Sequence, residues 1–301
     1  PHHALRFGGW LDVLTPWQLR RLVAATQPDL VQTWMTRATQ KMPTPKAPWV
    51  ARLGGYYPLR HYRRATHLVG NTLGLQQYFI NQGWPAARTS YISNFVDLPP
   101  PDFQTQRQAQ RAALHVPTGA TVLLSSSRLH PHKAIETVLH AMAQLPPQVF
   151  YLVVNKGPEE GRLRQLAASL GVAARVRWLG HVTPLAPVAA AADIFVVPSR
   201  VEPLGNVVLD AWAHQLPLVC STAAGPQELV QEGVTGIFFP IDDVAALAKQ
   251  IQRLLQQPAL AARLGRQGHA QLLADFAEEK IVDQYLQLYH HLAEINHHEP
   301  V

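Results

Sequence analysis

From Thr121 onward the sequence alternates short, continuously apolar runs with helical stretches: TVLLSSS, AIETVLHAMAQL, VFYLVVN, EEGRLRQLAASLG, VRWLG, PLAPVAAAA, IFVVPS, GNVVLDAWAHQ, LPLVCS, PQELVQEG, TGIFFP and DVAALAKQIQRLLQQ. A strand that is apolar on both faces has to be covered on both, so strands of this kind separated by helices imply a parallel sheet with a helical layer on each side. The expected fold class is α/β and doubly wound. Ligands of such a sheet belong at the carboxyl ends of the strands, where loops run into helix N-termini.

The 301 residues are enough for two domains. Apolar residues make up 47% and charged residues 15%, which excludes a disordered chain. No apolar run approaches the roughly 20 residues that span a bilayer. In the first hundred residues, PDLVQTWM, WVARLGGYY, HLVGNT and RTSYISNFVD repeat the strand theme. TPWQLRRLVAATQ is expected as a helix capped by Thr15, and LGLQQYFINQG as one closed by Gly83. Three consecutive prolines and a polar stretch within Asp97 to Ala120 suggest an interdomain linker.

Charge is unevenly spread. Residues 1–100 hold 11 Lys/Arg against 3 Asp/Glu, and residues 101–301 hold 15 against 17. Five of the seven tryptophans, Trp10, Trp17, Trp34, Trp49 and Trp84, are in the basic part. Such a surface suits anionic lipid headgroups or a phosphorylated acceptor, although taken singly most of these tryptophans are expected in the core. The cluster Arg60, His61, Arg63 and Arg64 is the expected anionic-acceptor or membrane face. Nucleic acid is not expected as a partner, because basic residues are not interleaved with stacking aromatics.

The stretch SRVEPLGNVVLDAWAHQLP carries the chemistry. Gly205 and Asn206 follow a strand and open a helix, where glycine and the positive end of the helix dipole favour a phosphate. Glu202 stands in the preceding loop. Asp210 lies on the second turn amid apolar residues, so it either pairs with an internal Arg or Lys or accepts hydrogen bonds from sugar hydroxyls. Arg128 and Lys133, in SSSRLHPHKAIETVL, follow another strand and add a guanidinium fork and a point charge. Two cations beside a helix N-terminus suit a diphosphate.

These motifs, with NKGPEEGRLRQLAASLG, VRWLGHV and the run from AADIFVVPS to FFPIDD, occur in an order and spacing that resemble the donor domain of retaining GT-B glycosyltransferases of family 4, over about residues 118–295. The group includes lipopolysaccharide-core and phosphatidylinositol mannosyltransferases. The resemblance implies a GT-B fold of two Rossmann-like doubly wound domains facing a cleft. The expected division is a partial acceptor-side domain at 1–100, a linker at 101–117, a donor domain at 118–275, and a C-terminal helix, 276–301, returning to the first domain.

The resemblance also implies roles. Glu202 contacts the transferred sugar, Asp210 holds the ribose hydroxyls, and Leu204, Gly205, Asn206 and Val207 with Arg128 and Lys133 hold the diphosphate. Glu202, Arg128 and Lys133 are the expected catalytic residues. The implied reaction moves a hexose from a nucleotide diphosphate sugar to an anionic glycolipid or polysaccharide of the bacterial cell envelope, with retention. No metal or other cofactor is expected, since the two cations do that work. A cytoplasmic protein with peripheral contact at the inner membrane face is expected. A nucleotide-sugar-binding module without turnover, or a GT-B epimerase or phosphorylase, would use the same donor residues.

Three positions depart from the family pattern: Asp210 stands for the more usual Glu, Ala134 for a frequent glycine, and Lys156 for a common acid. The first hundred residues resemble only the second half of an acceptor-side domain, which implies a preceding segment of roughly 60 to 70 residues. RFGGW, at 6–10, does not supply the missing glycine-rich loop, and Gln32, Thr33 and Trp34 stand where many relatives carry a histidine. ADFAEEKIVDQYLQLYHHLAEI has an apolar stripe of Tyr285, Leu286, Leu288 and Tyr289 for docking. Cys220 is expected as a buried hydrophobe, and His290, His291, His297 and His298 as solvated side chains rather than a metal site.

Overall fold

The computed structural model describes residues 2–5, 7–8 and 12–298, and side chains to 295. It divides into two compact units: Pro1–Asn94 with Glu279–Val301, and Phe95–Glu278. The RFGGW glycines and Trp10, and the side chains of His297 and His298, fall wholly or partly outside the described residues.

Unit 1 is built as α1 (Leu14–Thr26), β1 (Val31–Trp34), α2 (Met35–Lys41), β2 (Trp49–Leu53), β3 (His67–Gly70), α3 (Leu73–Asn81) and β4 (Thr89–Tyr91), with α12 (Glu278–His298) from the far end of the chain. Its four strands are parallel in the order β1-β2-β3-β4. Trp49, Leu53, Tyr62, Leu68, Leu75 and Phe79 fill its core. α1 is capped by Asp12 and not by Thr15: the Thr15 amide donates to Asp12 Oδ1 at 3.0 Å. Hydrogen bonds from Thr15 hold the Asp12 carboxyl down at about 2. An Asp three residues ahead reaches the free amides of the first turn, where Thr15, already inside the helix, does not.

The tryptophans correct another expectation. Of the four described in residues 1–100 only Trp49 is buried, whereas Trp17 and Trp34 are half-exposed beneath Arg21 and Arg52. On α12 the buried side chains are Ile281 and Leu292; Leu286, expected in the docking stripe, faces solvent, and Tyr285 meets Trp34 at 6.1 Å.

Unit 2 contains α4 (Arg107–Ala113), β5 (Thr121–Ser126), α5 (Ile135–Gln144), β6 (Val149–Val154), α6 (Glu160–Ser169), β7 (Val176–Gly180), α7 (Ala186–Ala191), β8 (Ile194–Val197), α8 (Asn206–Ala213), β9 (Leu218–Ser221), α9 (Ala224–Leu229), β10 (Ile237–Phe239), α10 (Val244–Gln256) and α11 (Pro258–Asp275). Its six parallel strands run β10-β9-β8-β5-β6-β7. One apolar core lies on each face of this sheet, as continuously apolar strands require, and Cys220 is buried in one of them.

The stretch 101–117 is not a linker. Phe103 enters the core, and Arg107 and Arg111 reach the carbonyls of Ala190, Ala191 and Ala192 at the end of α7 and the Asp193 carboxylate. Two arginines satisfy the unpaired carbonyls of that helix end, which fastens a proline-rich, polar segment to the sheet. No described helix is long and apolar enough to cross a membrane.

Candidate functional site

The strand order locates the site. From β5 the chain proceeds to β6 and β7 on one side, then returns to lay β8, β9 and β10 on the other. The loops after β5 and β8 therefore diverge, leaving a crevice at their carboxyl ends. Arg128 and Lys133 come from the first loop, and Glu202 to Gly205 from the second.

Lys133 Nζ lies 2.6 Å from Glu202 Oε2, and Ser199 Oγ donates to the same oxygen at 3.0 Å. Glu202 is only 8% exposed. A buried carboxylate needs such donors, and an ammonium with three N–H groups can serve it and still contact a second anion. Arg128 is exposed and makes no hydrogen bond or ion pair among the described residues.

Gly205 has φ +90° and precedes Asn206, the first residue of α8. That left-handed turn, costly for any residue with a Cβ, carries the chain from the loop into the helix. Leu204 is buried, Val207 half-buried and Asn206 exposed. Behind the loop, the Gly225 amide donates to the Glu202 carbonyl at 2.8 Å. A Cβ at Gly225 would lie 2.5 Å from that oxygen and 2.6 Å from Leu204 backbone atoms, so only glycine fits.

Asp210, one and a half turns from Gly205, pairs with no Arg or Lys among the described residues, and its carboxylate has no hydrogen-bond partner there. Burial pushes its pKa up to about 6. Of the two readings of its sequence position, the internal ion pair is not formed. Ala134, in place of a frequent glycine, takes φ +47° and leads into α5. Left-handed backbone there is the reason glycine suits this position.

Residues that sequence inspection passed over hold the crevice together. Ser199 supports Glu202. Arg200 binds the Pro131 carbonyl at 2.7 Å, Glu136 at 2.9 Å and Asp242 at 2.8 Å, while its amide donates to His132 O at 2.8 Å. The SR dipeptide before VEPLG was the available signal, since a polar pair closing an apolar strand needs partners. Arg60, Arg63 and Arg64 belong to unit 1 and are exposed on and after the turn Leu59–His61, with Arg64 over the Trp49 ring at 5.8 Å. No group of three or more His, Cys, Asp or Glu suited to a metal ion occurs among the described residues.

Comparison with known proteins identifies the family and the fold. A family model described as "Glycosyl transferases group 1" matches residues 106–271. The lipopolysaccharide core biosynthesis glycosyltransferases LpsE and LpsD of Rhizobium meliloti are 34% and 32% identical to the chain, each over 92% of it and over 80% and 79% of their own lengths. Anabaena Alr3699/HepE, solved with UDP and glucose, superimposes with a TM-score of 0.81 at 24% identity, over 95% of this chain and 83% of that one. Sucrose-phosphate synthase of Thermosynechococcus elongatus gives 0.79 at 25% identity, over 92% and 77%. The fold is GT-B, and the chain belongs to the group 1 glycosyl transferases and is a glycosyltransferase.

Proposed function

We propose that the chain transfers a hexose from a nucleotide diphosphate sugar, with retention at the anomeric carbon, to a glycolipid or polysaccharide acceptor of the bacterial cell envelope. The observation that carries this reading is the Lys133–Glu202 pair beside the Gly205 turn at the crevice where strand order reverses. Lys133, Arg128 and the amides at the start of α8 stabilise the departing diphosphate, where negative charge grows as the glycosidic bond breaks. Glu202, fixed by Lys133 and Ser199, orients the hexose and stabilises its developing positive charge. Asp210 accepts the ribose hydroxyls, which supply the hydrogen bonds its half-buried carboxylate lacks.

On this reading the cations do the work of a metal, and turnover needs none. The names of LpsE and LpsD support an acceptor in the lipopolysaccharide core, and UDP and glucose in the Anabaena protein support a nucleotide sugar donor. The exposed arginines Arg60, Arg63 and Arg64 are proposed to meet an anionic acceptor or membrane face.

Calorimetric titration with UDP-, GDP- and ADP-sugars, followed by NMR of the product anomer, tests the proposal. Selective binding lost in Lys133→Ala, with a product of the donor's anomeric configuration, is expected. Failure of every nucleotide sugar to bind would overturn the reading.

A further inference from the structure

We infer that unit 1 carries a binding site for an acidic saccharide, a sugar bearing a carboxylate or phosphate, centred on Arg52 at the carboxyl end of β2. Its role as the acceptor site rests on the transferase reading, whereas the binding itself does not.

Arg52 is only 6% exposed, and none of the ion pairs among the described residues involves it. It donates to the neutral amide oxygen of Asn94, lies over the Trp34 ring at 4.6 Å and neighbours the neutral Tyr285 hydroxyl, while its Nε has no hydrogen-bond partner. A buried cation without a counter-ion is costly, and neither a neutral amide nor a ring face replaces one.

The groups around it are unsatisfied in the same way. Asn71, which follows β3, and Ser93, two residues past β4, are 4% and 3% exposed, with Asn71 Oδ1 and Ser93 Oγ unpartnered. Gln32 lies two residues before Trp34 on the same face of β1, and both atoms of its amide are unpartnered. Arg52 and Asn71 converge on the Gly54 backbone: a Cβ at Gly54 would stand 3.5 Å from Arg52 Nη1, 3.6 Å from Asn71 Nδ2 and 3.4 Å from Met35 Sδ.

Native proteins leave few buried polar atoms unpaired, so a cluster at one end of a sheet points to a ligand that pairs them. The planar guanidinium matches a carboxylate or phosphate. The amides and the hydroxyl both donate and accept, as sugar hydroxyls require. Trp34, paired in register with Arg52 and half-exposed, offers an apolar ring for the carbon face of a sugar.

The test titrates the full chain with galacturonate, glucose 6-phosphate, methyl glucoside and inorganic phosphate, read by saturation-transfer NMR and tryptophan fluorescence. At least one acidic sugar should bind tenfold or more tighter than methyl glucoside, and the two acidic sugars distinguish carboxylate from phosphate. Arg52→Gln should abolish the preference without changing affinity for the nucleotide sugar. Should that variant fail to fold, Trp34→Leu, at a half-exposed position, should weaken the acidic sugar at least threefold. Equal binding of methyl glucoside, or a preference surviving both substitutions, would overturn the inference. So would inorganic phosphate binding as tightly as glucose 6-phosphate. Acidic-sugar binding without any nucleotide-sugar binding would sink the transferase reading and leave this site standing.

Discussion

Lys133 and Glu202, 69 residues apart in sequence, meet at 2.6 Å where the loops of β5 and β8 diverge. Removing one partner of a largely buried pair costs more than removing both, because the survivor keeps its charge and loses its solvent substitute. Lys133→Met should lower unfolding free energy by about 2 kcal/mol. Lys133→Met with Glu202→Gln should recover part of that in denaturant titration, and both variants are expected to lose sugar transfer in a product assay. Additive losses would show that the pair does not couple.

Asp210 supplies a pH signature. Its folded pKa, about 6, lies above the ordinary 3.8, so the folded chain binds more protons between those values and stability falls as pH rises through that window. Asp210→Asn should therefore raise the melting temperature at pH 8, by the equivalent of roughly 2 to 3 kcal/mol, and leave it unchanged near pH 4. Donor affinity should move the other way: it should weaken in the wild type below pH 6, and fall about tenfold or more in the variant.

His67 in unit 1 behaves oppositely. Burial, reinforced by Arg88, holds its pKa at about 4. The unfolded chain then binds more protons between pH 4 and 6.5, so stability is lost as pH drops through that range. A calorimetric scan at pH 4.5 should show a large loss of stability for unit 1, and His67→Gln, which keeps a partner for Ser90, should reduce it.

Gly225→Ala should act on the site from behind. Its Cβ would collide with the Glu202 and Leu204 backbone, which cannot yield without moving the loop. A loss of 1 to 3 kcal/mol, roughly, and a weakened donor affinity should appear together in thermal melts and titrations. Normal donor binding in this variant would mean the loop tolerates displacement.

Much of this arrangement was legible in the sequence, for definable reasons. The apolar alternation after Thr121 marks strands covered on both faces, and it points to the loops where Arg128, Lys133, Glu202 and Gly205 sit, with Asp210 on the helix that follows. Pairings between distant segments were not legible, because composition and period carry no register: the meeting of Arg107 and Arg111 with Asp193 turned an expected linker into part of a domain. Arg52 was hidden because, in WVARLGG, a single basic residue in a short apolar run looks like an edge-strand charge, and only the fold shows it buried without a counter-ion.

Arg200 has a consequence for protein engineering. Its side chain spans Pro131, Glu136 and Asp242, which arise from the β5 loop, α5 and the turn before α10. The β8 loop is therefore fastened to three segments distant in sequence. A graft of a relative's β8 loop alone would arrive without its anchors. Donor preference should transfer between homologues only when the β5 loop and the residue at position 242 travel with it.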